Sequence, residues 1–299
     1  MVTFHEAIEQ NRRASYLLTA ALVVTAVLVG YVTGKAQGHT IAGVMLALSI
    51  LAVLAIVTLT SGKEIPLLVN SATKADAETE LLLTNIIEEL KIASGLRSTP
   101  EVYVIEDGTI NAFASALSDE AAAIAVTRGA IGNLTREELQ GVLAHEVSHI
   151  LGRDTRYFLF LSVFVGSVVM ISDLFLKIGL FSRRARLSIG LVVPALFLAL
   201  FSPLIVTILR FAISRKREFL ADARAVQMTR NPAALASALR KTTRFGSRIE
   251  GVNRATRHMF ILNPSPANGF GDRFLFSTHP PVEERIKRLQ MMGARFFQK

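Results

Sequence analysis

Cysteine is absent from all 299 residues. That excludes a disulfide framework and any thiolate metal site, so a bound zinc would need histidine, glutamate or aspartate. The absence also suits a reducing compartment. Charge is scarce as well: Asp, Glu, Lys and Arg make up 19% of the chain against 51% hydrophobic residues, and the mean hydropathy is +0.42. A typical soluble domain is more polar, and this balance points to membrane spans. No internal repeat or low-complexity tract is present. The charge is also unevenly spread. Residues 61–157 hold 8 Lys/Arg against 15 Asp/Glu, whereas residues 210–299 hold 18 against 6. The basic segment reads as facing anionic lipid headgroups or packing on the acidic one. No motif interleaves aromatics with these charges, so nucleic acid is not an expected partner.

Four apolar runs divide the chain. Leu17 to Val32 and Ile41 to Leu59 carry no charge and flank a short Gly-containing loop, Thr33 to Thr40, as a helical membrane hairpin would. A cleaved signal peptide competes for the first run, since Arg12-Arg13 resembles a basic n-region. The second span follows at once without a small-residue cleavage pattern, which favours a retained anchor. The third run begins at Phe158 and meets Asp173 and Lys177, an i, i+4 pair able to neutralise itself on one helix face. The fourth, Leu187 to Leu209, contains Pro194 and Pro203, which membrane helices tolerate with bending. A buried helical pair in a soluble domain is the alternative for these two. Arg12, Arg13, Arg210, Arg215, Lys216 and Arg217 flank the outer ends of the runs, placing both termini and the central segment in the cytoplasm. Arg183, Arg184 and Arg186 oppose that orientation unless they sit among headgroups or the second hairpin does not cross fully.

The remaining segments read as mixed helix and strand. Thr79 to Ala93 is an amphipathic helix, Val102 to Ile105 a strand before a turn at Asp107-Gly108, and Ala121 to Thr127 a second strand. A charged helix is expected from Ser214 to Thr229, and another from Asn231-Pro232. A loop through 246–275 and a short helix from Pro281 complete the chain. The predicted organisation is a two-span anchor (1–60), a segment 61–157, a second membrane hairpin (158–209) and a segment 210–299.

Within 61–157 lies His145-Glu146-Val147-Ser148-His149. Residues four apart on a helix are roughly 40° from eclipsed, so both imidazoles leave one face and can hold one metal. Glu146 can then reach a water at that metal as a general base. Thr135-Arg136-Glu137-Glu138 reads as a capping box, followed by a stripe of Leu139, Val142, Leu143, Val147 and Ile150. The bland alternative is two solvent-facing histidines on an amphipathic helix.

A hydrolytic zinc needs a third protein ligand. The pattern H-E-x-x-H-x-x-G-x-x-H holds through Gly152 and fails at Thr155, with Asp154 one residue out of register. An intramembrane site would draw on Asp173, but the helix has polar ends at Thr135–Glu138 and Arg153-Asp154. The third arrangement takes Glu218 from a later helix, with Asp222 one turn on and able to accept a hydrogen bond from a ligating imidazole. Taken alone, these two acids could instead balance Arg215, Lys216 and Arg217 on a solvated helix.

The paired N-terminal spans, Asn111-Ala112-Phe113-Ala114, His145 to His149, the apolar interruption, Ser214 to Asp222, and Ser277-Thr278-His279-Pro280-Pro281 with Arg285 occur in one order along nearly the whole chain. In these the sequence resembles the HtpX-like membrane zinc metalloproteases, relatives of the Ste24-type prenyl-protein peptidases. The four spans are fewer than the prenyl peptidases carry. The resemblance implies an α+β fold: a multi-pass helical anchor and a mostly helical gluzincin-type metalloprotease domain with a small β-sheet. It implies a zinc metalloendopeptidase with one Zn2+ held by His145, His149 and Glu218, and Glu146 as general base. Its substrates would be misfolded or damaged membrane proteins at the bilayer, in functional overlap with other membrane quality-control proteases.

His279 is the candidate oxyanion donor, since the family places its His-Pro-Pro element near the site; a solvated histidine at a helix entrance is the alternative. Arg285 would orient His279 or bind substrate backbone. Asn111, Ala112 and Phe113 would lie beside the cleft on a β-edge open to strand addition, unless they are a simple turn. The expected location is a bacterial inner membrane with the site facing the cytoplasm. A scaffold or chaperone with a vestigial zinc site, and a protease of prenylated peptides, are the competing functions; an intact Glu146 argues against the scaffold.

Overall fold

The computed structural model describes residues 38–159, 215–245, 259–261 and 280–296, with short stretches between 13 and 35. The expected third and fourth spans, the Asn263–Gly269 breakers and His279 lie outside these residues. The chain divides into two compact units: residues 10–61 with 160–212, and residues 1–9, 62–159 and 213–299.

In the first of these units, helix α1 (Thr40–Ser61) has 22 residues and no charged side chain. At 1.5 Å per residue it is about 33 Å long, enough for a bilayer core. Its outward side chains, among them Leu46, Ile50, Val53 and Ile56, are exposed. It is the one helix among the described residues long and apolar enough to cross a membrane. Residues 22–28 are also helical, and Gly30 and Gly43 meet backbone to backbone: a Cβ on Gly30 would lie 2.6 Å from the Gly43 carbonyl. Only glycine permits that approach.

The other unit is mostly helical with a small mixed sheet. Its described elements are α2 (Glu64–Val69), β1 (Thr73–Lys74), α3 (Ala77–Ser94), β2 (Glu101–Ile105), β3 (Ala112–Ala116), β4 (Ala122–Thr127), α4 (Arg128–Asn133), α5 (Arg136–Leu151), α6 (Arg215–Thr229), α7 (Pro232–Phe245) and α8 (Val282–Phe296). The sheet runs β1-β2-β4-β3; β2 and β4 are parallel, and β1 and β3 pair antiparallel at its two edges. Helix α3 and strands β2 and β4 fall where the sequence places them. β3 does not: Ala-Phe-Ala-Ser-Ala has no β-branched residue to announce a strand. It forms because every one of its side chains is buried and its backbone pairs along β4, from Ala112↔Val126 to Ala116↔Ala122. The helix from Pro281 is also longer than expected, reaching Phe296.

Helix α5 is the axis of this unit, packed by α3, α6, α7 and β3. The expected stripe of Leu139, Val142, Leu143, Val147 and Ile150 is buried, but so is everything from Val142 to Ile150. The capping box is present: the Thr135 hydroxyl accepts from the Glu138 N–H at 3.3 Å, and the Glu138 carboxylate accepts from the Thr135 N–H at 2.9 Å. Glu138 also takes Lys241 Nζ at 2.6 Å and the Ser237 hydroxyl at 2.7 Å, tying α5 to α7. The basic segment thus packs on the acidic one. Thr135→Ala should therefore lower stability by about 1 kcal/mol, and Glu138→Ala by more, since it also releases α7. Thermal midpoints of the purified variants measure both; equal losses would separate Glu138 from the α5–α7 contact.

Candidate metal centre

His145 and His149 are 0% and 6% exposed, so a solvated pair is excluded. Both present Nε2 to one point, where the two nitrogens lie 3.1 Å apart. Helix α6 brings Glu218, 1% exposed, to the same point: its carboxylate oxygens are 3.6 Å from His145 Nε2 and 3.6 Å from His149 Nε2. The three side chains form the group among the described residues able to hold a metal ion, with all donor atoms within 4.8 Å of one another. Tetrahedral zinc, with bonds of about 2.0–2.1 Å, sets its ligand atoms about 3.3 Å apart. Two neutral imidazoles and a carboxylate, spaced this way and leaving a fourth position, fit that ion. The solvated reading of α6 fails for Glu218 and Asp222 alike, the latter being 2% exposed.

Around these three sits a shell of fixed hydrogen bonds. Asp222 Oδ1 is 3.0 Å from His145 Nδ1. Arg285, with no exposed surface, donates Nε and Nη2 to Asp222 at 2.9 and 2.7 Å and Nη1 to the Ile261 carbonyl at 3.2 Å. The donors of Arg285 are turned inward, to Asp222 and the Ile261 carbonyl, while His279, its expected partner, lies outside the described residues. His149 Nδ1 is bonded to Asp154 Oδ2 at 3.0 Å, a contact that sequence reading misses. Asp154 matters there only as a failed ligand position, and its return to His149 depends on the turn that ends α5.

Asn111, Ala112 and Phe113 also differ from expectation. They are 1%, 0% and 0% exposed, Asn111 just before β3 and Ala112 and Phe113 at its start. The Asn111 N–H donates to the Thr127 hydroxyl at 2.9 Å, and its side-chain oxygen accepts from the Ala112 N–H at 3.0 Å. The outer edge at Ala112 and Phe113 is already taken: the Ile261 N–H donates to the Ala112 carbonyl at 3.0 Å, and Phe260 packs edge-on to Phe113 at 5.0 Å. Strand addition at those residues is therefore blocked by the chain itself. The next residue faces the centre, where the Ala114 N–H acts to lower the Glu146 carboxyl.

Burial governs the electrostatics. It lifts the Glu146 carboxyl to about 7, against the charges of His145 and His149 and the Ala114 N–H, with Glu218 adding to the rise. For His145, burial and the Arg285 charge act downward, but hydrogen bonds to Asp222 and Glu218 prevail and hold the imidazole at about 9. Asp222 moves the other way: burial opposes ionisation, yet Arg285 and His145 keep it down at about 2.

An H-E-x-x-H helix completed by a buried glutamate from a later helix defines a metallopeptidase of the zincin class. Residues 77–292 match peptidase family M48, and the chain belongs to that family of zinc metalloproteases, which act on polypeptides. It is similar to "Protease HtpX homolog" of Dictyoglomus turgidum, 36% identical over 298 residues, covering 98% of this chain and 96% of that one. The protein of the same name in Caldanaerobacter subterraneus subsp. tengcongensis is 37% identical, over 97% of this chain and 98% of that one. That of Tropheryma whipplei is 39% identical over 231 residues, 77% of this chain and 78% of that one. In fold it is similar to the crystal structure of S. mikatae Ste24p, with a TM-score of 0.51 at 17% identity, covering 95% of this chain and 66% of that longer one.

Both raised groups hold protons that the unfolded chain has already released. In the protein stripped of metal by chelator, the contribution of these two groups to stability should therefore be full only below Glu146's ordinary 4.5. It should fall as pH rises through about 7 and again between 6.5 and about 9 as His145 loses its proton. Zinc must displace the His145 proton, so its affinity should rise over the same interval. Melting curves and zinc titrations from pH 5 to 9 test this, and a midpoint and affinity indifferent to pH would contradict it.

Proposed function

We propose that His145, His149 and Glu218 hold the zinc, that Glu146 is the general base, and that the chain is a membrane-anchored endopeptidase cleaving misfolded or damaged membrane proteins at the cytoplasmic face. The observation that carries the chemistry is the convergence of two imidazole nitrogens and a glutamate on one buried point, with Glu146 beside it. Zinc bound there would polarise a peptide carbonyl and acidify water. Glu146 would take the proton from that water and deliver it to the departing amine. Asp222 keeps the His145 Nδ1 proton, leaving Nε2 to bind metal, and Arg285 holds Asp222. His279 remains the proposed oxyanion donor. A cavity of about 200 Å³, lined by Ala116, Leu117 and Ile150 with the charged residues Arg97, Asp119, Glu120, Arg153 and Arg156, is where we place a substrate side chain.

Membrane attachment is supported by α1 and by the uncharged run before it, which together suit the two-span anchor of residues 1–60. Residues 61–157 and 210–299 make the catalytic domain in this reading, and the apolar run of 158–209 is the second hairpin. The lipid bilayer is then a constant partner. The basic residues outside the runs support the cytoplasmic orientation. The scaffold reading has little support, since a structural zinc site needs no Glu146.

Glu146→Gln should retain zinc while hydrolysis falls at least ~10²–10⁴-fold, and His149→Ala should lose both. Zinc content and casein degradation by the detergent-purified protein, with and without chelator, read these outcomes; full activity of Glu146→Gln would refute the mechanism. A reporter fused after Lys299 should be active in the cytoplasm, and activity only outside would reverse the orientation. Cleavage of prenylated peptides in preference to unfolded membrane proteins would move the substrate class to that of the prenyl peptidases.

A further inference from the structure

His149 has a partner that the ligand set does not account for. We propose that Asp154 is the positioning residue of His149, doing for it what Asp222 does for His145, and that Gly152 exists to let it do so; this rests on the reading of His145, His149 and Glu218 as the zinc ligands. Asp154 is 5% exposed and its Oδ2 lies 3.0 Å from His149 Nδ1. With Nε2 turned to the metal, Nδ1 carries the proton and donates to that carboxylate, which sets both the tautomer and the ring plane.

The backbone is shaped to bring this carboxylate back. Helix α5 ends at Leu151, and Arg153 then adopts a left-handed conformation with φ +56°, a position glycine would ordinarily fill. The glycine stands one residue earlier, at φ −75°, where backbone conformation does not require it. Space does. A Cβ on Gly152 would lie 2.9 Å from Asp154 Oδ2, 3.2 Å from the Ser148 carbonyl and 3.3 Å from Arg224 Nη1. Any side chain there pushes against the carboxylate that holds His149.

Asp154 is held in turn by an arginine. Arg217 Nη1 is 3.8 Å from Asp154 Oδ1, and its guanidinium lies over the rings of Tyr157 and Phe158 at 5.1 and 5.7 Å. Arg217 immediately precedes the ligand Glu218. The centre therefore has a carboxylate behind each imidazole: Asp222, bonded twice by Arg285, behind His145, and Asp154, with Arg217 at ion-pair distance, behind His149. The second joins the end of α5 to the start of α6, so it fixes one imidazole and the ligand helix together.

The test uses the full-length protein in detergent, loaded with zinc or with cobalt as a spectroscopic substitute, and compares the wild type with Asp154→Asn, Gly152→Ala and His149→Ala. Zinc affinity is read by competition with a chromogenic chelator, folding by circular dichroism. Asp154→Asn should fold, bind zinc roughly 10- to 100-fold more weakly and shift the visible cobalt bands, changes that a merely structural residue would not cause in a folded protein. Gly152→Ala should act in the same direction with the carboxylate still in the chain, and it carries the test if Asp154→Asn does not fold. Folded variants with unchanged zinc affinity and cobalt bands would overturn the positioning role while leaving the ligand set standing. Wild-type zinc affinity in His149→Ala would overturn the ligand set, and this inference with it.

Discussion

A fully buried guanidinium organises the metal centre. An unpaired charge in a protein interior costs several kcal/mol, so Arg285 can sit there only with its donors taken. Asp222 takes two of them and the Ile261 carbonyl a third, while Glu218 lies 3.8 Å away. Meeting that requirement ties α8 to α6 and to residues 259–261 beside His145. Once α6 is there, Glu218 stands opposite the two imidazoles and Asp222 reaches His145. The arginine's donors go to Asp222 and the Ile261 carbonyl, and the ligand geometry depends on it.

The same burial decides the protonation states. Arg285 and a protonated His145 face Asp222 and Glu218, so two positive charges meet two negative ones with no solvent between them. With zinc held in place of the His145 proton the centre would gain positive charge, which an ionised Glu146 would answer. The general base and the metal are thus linked by charge balance as well as by position: Glu146 holds its proton most strongly when the centre lacks the ion that makes it useful.

Several features were legible in the sequence because they depend on neighbours along the chain. The capping box, the pairing of His145 with His149, the helix carrying Glu218 and Asp222, and the apolar run of α1 all follow from local spacing. β3 was not legible, since an alanine-rich strand is specified by β4 beside it and α5 beneath it. The burial of Asn111 to Phe113 was equally hidden. The chain's own residues 259–261 close that edge, from about 150 positions away in sequence. Gly152 was visible only as a fragment of the wrong pattern; its purpose appears once Asp154 is seen folded back on His149.

Residue type and short-range periodicity alone therefore determined the reaction class, the histidine pair, Glu146 as the candidate base and the apolar segments, because helix geometry converts fixed spacing into a fixed face. The tertiary structure alone decided which imidazole each carboxylate serves and where Arg285 turns its donors. It also decided which strand lies against Glu146. Asp222 and Arg285 are 63 positions apart, and His145 and Arg285 are 140 apart. Contacts over such separations are set by the shared need to satisfy buried charge, which no local pattern records.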